Sequence, residues 1–224
     1  MKYQISKNGY KTKPTDPEFT NMEWVEKNTD LPDLVELLAN GHTYRANLDN
    51  TLNYGTKNLV SAQVVMIDVD GKHNPPKLDE FLKKTLFRPT FYYETFNSVG
   101  GERYRLGYML DKEIKTKEEY SAIAHTILEK TDCLTTEQVD KVSFSAVQNI
   151  AGTNKPVHNN YCSYRKSDFD RLLDSYLPEV KVSRKFDLKL SFEEYDTRCD
   201  FLSFEGTFEN YINLHPIDKV LFKE

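Results

Sequence analysis

Ser61–Val69 is an almost unbroken run of apolar and β-branched residues, and it constrains the fold more than any other stretch of the chain. A strand with one face in water alternates polar and apolar side chains, whereas a run without alternation belongs to a strand covered on both faces. The chain must therefore place a layer on each side of a sheet that has this segment near its centre. Gly71, Asn74, Pro75 and Pro76 stop the run. Just before the stop stand two carboxylates, Asp68 and Asp70. Strand side chains repeat with period two, so both point to the same side. Two like charges a few ångströms apart stay ionised most easily with a cation between them, and hard oxygen ligands favour magnesium or manganese. Asp-x-Asp-Gly is also good turn chemistry where a strand meets solvent, so the pair alone leaves both readings open.

The segments around this strand show where its covering layers come from. Asp30–Gly41 carries an N-cap residue, apolar side chains at helical spacing and a glycine stop, which predicts a short helix. His42–Leu48 reads as a strand and Asp49–Asn58 as a polar loop. Leu78–Phe87 has an amphipathic pattern, and Pro89 ends the link to the next strand. Thr90–Phe96 and Arg103–Leu110 flank Asn97-Ser-Val-Gly-Gly-Glu102, a hairpin signal. Thr116–Thr131 places Tyr120, Ile123, Ala124, Ile127 and Leu128 on one helical face. The first 30 residues, broken by Gly9, Pro14 and Pro17, read as a short strand near Tyr3–Ser6 followed by irregular chain. Asp140–Ala151 has no clear pattern, Gly152–Pro156 is a loop, and Ser167–Tyr176 reads as a helix capped by Ser167. Beyond about residue 180 charge alternates with aromatics and no chemical motif occurs. The expected organisation is one catalytic domain over residues 1–180 and a C-terminal appendage over 181–224.

Two further groups bear on chemistry. Arg103 and Arg105 share one strand face of the hairpin, where they can clamp a triphosphate or simply meet solvent at a sheet edge. A third carboxylate is needed to hold metals well; Asp140 is favoured by position, with Asp132 and Asp111 as competitors.

With these blocks in order, the chain resembles the archaeo-eukaryotic primase (primase-polymerase) superfamily, as found in plasmid and phage replication proteins. Lys57–Asp70 is similar to the family's first motif, a strand ending in Asp-x-Asp. Thr90–Ser98 followed by Arg103-Tyr-Arg-Leu106 is similar to its second block, and Asp140–Lys155, with its Gly-Thr-Asn-Lys turn, to its third. The resemblance covers roughly residues 35–160 in collinear order. It implies an α+β fold, a primase-polymerase core with an N-terminal α/β unit and an RNA-recognition-like β-sheet unit. It further implies a template-directed nucleotidyltransferase, a DNA primase or polymerase, working by a two-metal mechanism. Mg²⁺ or Mn²⁺ would be held by Asp68, Asp70 and Asp140, and nucleotide phosphates bound by Ser98, Arg103, Arg105 and Lys155. The partners so implied are a single-stranded DNA template, nucleoside triphosphates and a helicase in the same chain or another.

The departures point to alternatives. Where the family has a Ser-His pair this chain reads Asn97-Ser98, and Gln148 stands at a position commonly held by Arg. Both changes remove cationic phosphate contacts, which suits a catalytically degenerate replication-initiation or DNA-binding module of the same fold. Ile67-Asp-Val-Asp-Gly71 also resembles the first motif of haloacid-dehalogenase-type phosphatases, but Lys72 follows the glycine and no late acidic pair closes the pattern.

Composition narrows the class. A net charge of −5 excludes bulk attraction to polyanions, so nucleic acid would need a local basic strip, for which Arg103, Arg105, Lys155, Arg165 and Lys166 are candidates. Cys133, Cys162 and Cys199 are widely separated, which argues against a zinc ribbon or a disulfide framework. No charged-then-apolar leader opens the chain, and no apolar run approaches the roughly 18 residues of a membrane span. A cytoplasmic protein without membrane contact is expected.

Overall fold

The computed structural model describes residues 1–49, 58–70 and 72–169. In chain order its elements are β1 (Lys2–Gly9), α1 (Asp16–Thr20), β2 (Trp24–Asn28), α2 (Leu31–Ala39), β3 (His42–Leu48), β4 (Leu59–Val69), α3 (Leu78–Lys84), β5 (Phe91–Glu94), β6 (Tyr104–Ile114), α4 (Lys117–Lys130), a 3-10 helix (Lys141–Phe144) and β7 (Val157–Asn159). The strands form one seven-stranded sheet in the order β2-β1-β3-β4-β6-β5-β7, and every pairing between them is antiparallel. The fold is thus a mixed α/β arrangement on an antiparallel sheet. β3 and β4 pair through Asn47 with Ser61 and Leu48 with Leu59, with a shift of register between the two pairs.

β4 lies in the middle of the sheet and is covered on both faces, as its sequence requires. Val65, Ile67 and Val69 belong to one core, with Leu106, Tyr108, Ile123 and Ile127. Val64 and Met66 point the other way, into a second core with Leu34, Leu38, Phe91 and Tyr93. Full burial of each such side chain contributes about 1.5–3 kcal/mol, so the two cores supply the driving force while β4 supplies their shared wall. Asp68 follows Met66 in the alternation and so faces the α2 side of the sheet.

The helices form for the reasons the sequence offers. Asp30 caps α2 by accepting from the Asp33 amide, Pro32 sits in the first turn, and Leu34 and Leu38, one turn apart, are buried. After α2 the chain reverses at Gly41, whose φ of 80° and close approach to the Tyr10 carbonyl leave no room for a Cβ. Thr116 caps α4 through the Glu119 amide, and the buried face of α4 holds all five predicted residues.

Several elements differ from expectation. The chain before residue 30 is not irregular: it contains α1 and β2. β2 is an edge strand with mostly exposed side chains, held by main-chain pairing with β1, so no hydrophobic pattern announced it. β7 is likewise a three-residue edge strand, fixed by pairing with β5. α3 ends at Lys84 rather than Phe87, because Thr85 turns to an extended conformation and its hydroxyl bonds the Phe87 main chain. Of the predicted loop 49–58, residues 50–57 lie outside the described residues. So do the appendage 181–224 and all but the first turn of the predicted helix 167–176. Among the described residues no helix is long and apolar enough to cross a membrane.

Gly107 of β6 lies under the ring of Phe91, and a Cβ there would stand 2.2–2.6 Å from three ring atoms. Phe91 is fully buried and has nowhere to move. Gly107→Ala is expected to cost about 1–3 kcal/mol by overpacking, read as a lowered urea midpoint with an unchanged slope.

Candidate functional site

Residues paired across antiparallel strands project on the same face, and β4, β6 and β5 use this to build a polar row at the end of the sheet. Asp68 lies opposite Arg105, which lies opposite Tyr93. The Arg105 guanidinium donates to Asp68 Oδ2 at 2.8 Å, and its other terminal nitrogen donates to the Ala151 carbonyl. The Tyr93 hydroxyl donates to the same carbonyl at 2.9 Å. Ion pair and phenol are almost wholly out of water. Burial works to lower the pKa of Arg105, but the Asp68 carboxylate and Tyr93 raise it on balance, so the guanidinium keeps its charge. Burial pushes the Tyr93 hydroxyl up to about 12, against a smaller opposing effect of Arg105, so it remains a donor.

The main chain of Asp68 fixes the third carboxylate. Its carbonyl accepts from the Asp140 amide at 2.8 Å, and its own amide donates to Ser143 Oγ at 2.8 Å. Val69 and Val139 form an isolated bridge beside these bonds. Asp140 caps the 3-10 helix by accepting from the Val142 amide at 3.1 Å. Phe144, at the other end of that helix, stacks on His125 of α4 with ring centroids 4.0 Å apart. His125 therefore helps seat the segment that carries Asp140. Burial lowers its pKa, against a smaller pull from Glu129.

Asp68, Asp70 and Asp140 line one cleft of about 280 Å³, together with Lys13, Lys72, Arg103 and Arg105. Thr95, Phe96 and Asn97 close one side of it. The carboxylate of Asp70 accepts from the Lys72 amide and pairs with the Lys72 ammonium. Burial alone would raise the pKa of Asp70; Lys72, with a contribution from Arg103, lowers it below the ordinary carboxylate value. Asp111 and Asp132, the competing choices for a third carboxylate, are not in the lining, nor is any histidine.

The predicted phosphate-binding residues divide. Arg103 is exposed at the cleft, while Arg105 is its buried floor, already committed to Asp68 and Ala151. Ser98 and Lys155 are brought together but do not line the cleft. Lys155 donates to the Ser98 carbonyl at 2.6 Å and pairs with Glu94 at 3.3 Å, and Ser98 Oγ accepts from the Arg103 amide. Burial acts to raise the pKa of Glu94, and Ser98 and Lys155 more than reverse it, so its carboxylate stays ionised within this brace. Of the candidate basic strip, Arg165 and Lys166 stand outside the cleft, and Lys166 pairs with Glu119. Lys13 and Phe96 were not singled out from sequence. Lys13 arrives because the Asn154 side chain donates to the Lys11 carbonyl, a contact across 143 residues that leaves no local signal.

Among the described residues no group of three or more His, Cys, Asp or Glu side chains stands in a metal-ligating arrangement. Asp68 Oδ2 is held by Arg105, and Asp70 by Lys72. The donor set nevertheless suits a hard divalent cation in kind, with three carboxylates in one cleft and Asp68 Oδ1 bonded by no described residue. The Lys72 ammonium is largely in solvent, and an exposed pair of this sort is worth about 0–1 kcal/mol, so it yields readily to an entering ion.

No family model matches the chain, and no curated protein sequence matches it. Among solved structures it is similar to the AEP domain of the cyanophage S-2L primase-polymerase, with 10% identity, covering 77% of this chain and 88% of that one, at a TM-score of 0.38. The side chains of the cleft itself carry the functional reading.

Two outcomes follow from this geometry. Arg105→Met strands a buried carboxylate and is expected to cost about 3–5 kcal/mol in urea unfolding, while Arg103→Met stays within about 0.5 kcal/mol. The second concerns pH. His125 has a lowered pKa in the folded state, so the unfolded chain binds the proton more readily, and stability falls as pH drops through the ordinary histidine range near 6.5. His125→Phe keeps a ring on Phe144 and should flatten that part of the stability profile between pH 7.5 and about 5 relative to wild type.

Proposed function

We propose that the cleft performs nucleotidyl transfer: a DNA primase or polymerase that adds nucleoside triphosphates to a chain on a single-stranded DNA template, in plasmid or phage replication. The observation that carries this reading is the convergence of three carboxylates and four cationic side chains in one cleft. Carboxylates alone suit a metal, and cations alone suit a polyanion. Both together suit a metal-bound triphosphate.

In this reading Asp68, Asp70 and Asp140 would hold Mg²⁺ or Mn²⁺, which when bound would supply Lewis-acid polarisation of the α-phosphate and charge neutralisation of the departing pyrophosphate. Arg103 and Lys13, whose side chains hydrogen-bond no described residue, bind the β- and γ-phosphates, joined by Lys72 once it leaves Asp70. Arg105 does not clamp phosphate; it fixes the rotamer of Asp68. The 3′-hydroxyl oxygen bonds to the α-phosphorus, the bond from that phosphorus to the bridging oxygen breaks, and the hydroxyl proton passes to solvent. A helicase in the same chain or another would supply the opened template.

One observation favours a second reading, a nucleotide- or DNA-binding replication module of the same fold without catalysis. Asp68 and Asp70 are each neutralised by a protein cation, an arrangement that is self-sufficient without metal.

Incorporation of labelled nucleotide on single-stranded DNA, with and without primer and with Mn²⁺ present, tests both. Asp68 is a poor position to mutate because its loss unpairs Arg105. Asp70→Asn and Asp140→Asn are cleaner, since Asp70 is half-buried at a strand end and Asn caps as well as Asp. Each is expected to lower incorporation at least about a hundredfold with a near-native melting temperature. Incorporation at the wild-type rate by either variant refutes the nucleotidyltransferase; nucleotide binding with no incorporation by wild type establishes the non-catalytic module.

A further inference from the structure

The turn joining β5 to β6 is braced more heavily than a hairpin tip requires. The Thr95 amide donates to the Arg103 carbonyl, the Ser98 amide to the Thr95 carbonyl, and the Arg103 amide to Ser98 Oγ. From outside the hairpin, Lys155 donates to the Ser98 carbonyl and the Thr153 hydroxyl to the Glu94 carbonyl at 2.7 Å. Both ends of the three-residue stretch Thr95–Asn97 are thereby pinned.

What the pinned stretch holds out is Phe96 and Asn97, both in the cleft wall. Phe96 is half-buried yet belongs to neither hydrophobic core, and among the described residues it stacks on no other ring. Asn97 is exposed, and its carboxamide bonds no described residue. The rest of the lining is dominated by charge. A single aromatic face beside an uncommitted amide, opposite carboxylates and cations, matches a ligand that is flat and apolar at one end and polyanionic at the other.

We infer that Phe96 is the platform on which the base of the incoming nucleotide stacks, with the Asn97 carboxamide bonding the base edge or a sugar hydroxyl. This rests on the nucleotidyl-transfer reading. It gives Ser98 and Lys155 a positioning role, since they hold the turn that carries Phe96 rather than touching phosphate. Base–aromatic stacking tolerates any base, because every base has a π-face, so the platform suits a polymerising site that must accept all four.

The test compares equilibrium binding of a nucleoside triphosphate and of inorganic triphosphate, each with Mn²⁺, to wild type, Phe96→Ala, Phe96→Tyr and Asn97→Ala. Phe96→Ala is expected to weaken nucleoside triphosphate binding about tenfold and leave inorganic triphosphate unchanged, with Phe96→Tyr restoring most of the loss. Asn97→Ala gives a smaller loss in the same direction. In incorporation assays the same change raises KM and leaves kcat within about twofold. The ring lies outside both cores, so these variants fold. Equal nucleotide affinity in wild type and Phe96→Ala overturns the inference while leaving the function standing. A loss confined to single-stranded DNA affinity also overturns it, since the ring would then serve the template. If wild type binds neither nucleoside triphosphate nor inorganic triphosphate, the nucleotidyl-transfer reading fails and this inference with it.

Discussion

The ion pair between Asp68 and Arg105 is the interaction around which the rest of the site is arranged. Two opposite charges taken out of water attract strongly but must recover their lost hydration from neighbouring dipoles. Here the Ala151 carbonyl does part of that for the guanidinium, and Tyr93 shares the same acceptor. One buried pair therefore joins two central strands to the loop that leads into Gly152–Lys155. Arg105 Nε is buried and bonds no described residue, and a buried donor without a partner costs stability. A cost of that kind is tolerated where orientation matters, and what is oriented is the carboxylate at the end of the central strand.

The sheet makes this possible because β4 is a wall common to two cores. A carboxylate at the end of a strand covered on one side only would face open water. On β4 it faces a cleft whose lining includes Lys13 and Ala151. Gly152 lets the loop that follows Ala151 close, since a Cβ there would lie 2.5 Å from the carbonyls of both Leu38 and His42. The cleft is thus bounded by segments far apart in the sequence, around Lys13 and Ala151.

Local pattern revealed what depended on local pattern. The buried run of β4, the capped helices α2 and α4, and the hairpin were all legible because hydrophobic periodicity and turn chemistry act over a few residues. Asp68 and Asp70 were legible for the same reason, through the period of a strand. Of the three aspartates that position in the sequence offers beside this pair, Asp111, Asp132 and Asp140, the structure places Asp140 in the cleft lining. The roles of individual cations were not legible. Nothing in Arg103-Tyr-Arg105 says that one guanidinium is exposed and the other buried against a carboxylate; that depends on the cross-strand register. Nor does Lys155 reveal that it braces Ser98 and Glu94, 57 and 61 residues away. Edge strands β2 and β7 escaped for a related reason, since main-chain pairing leaves no trace in side-chain composition.

The bond between the Asp140 amide and the Asp68 carbonyl involves main-chain atoms alone. The spacing between those two positions is therefore a property of the chain's path and persists whatever side chains occupy them. The Asp140 side chain can therefore be exchanged without moving the main chain that carries it, whereas exchange of Asp68 also unpairs Arg105. The frame of this cleft is thus drawn by the backbone, and its side chains are hung on a separation that they do not themselves set.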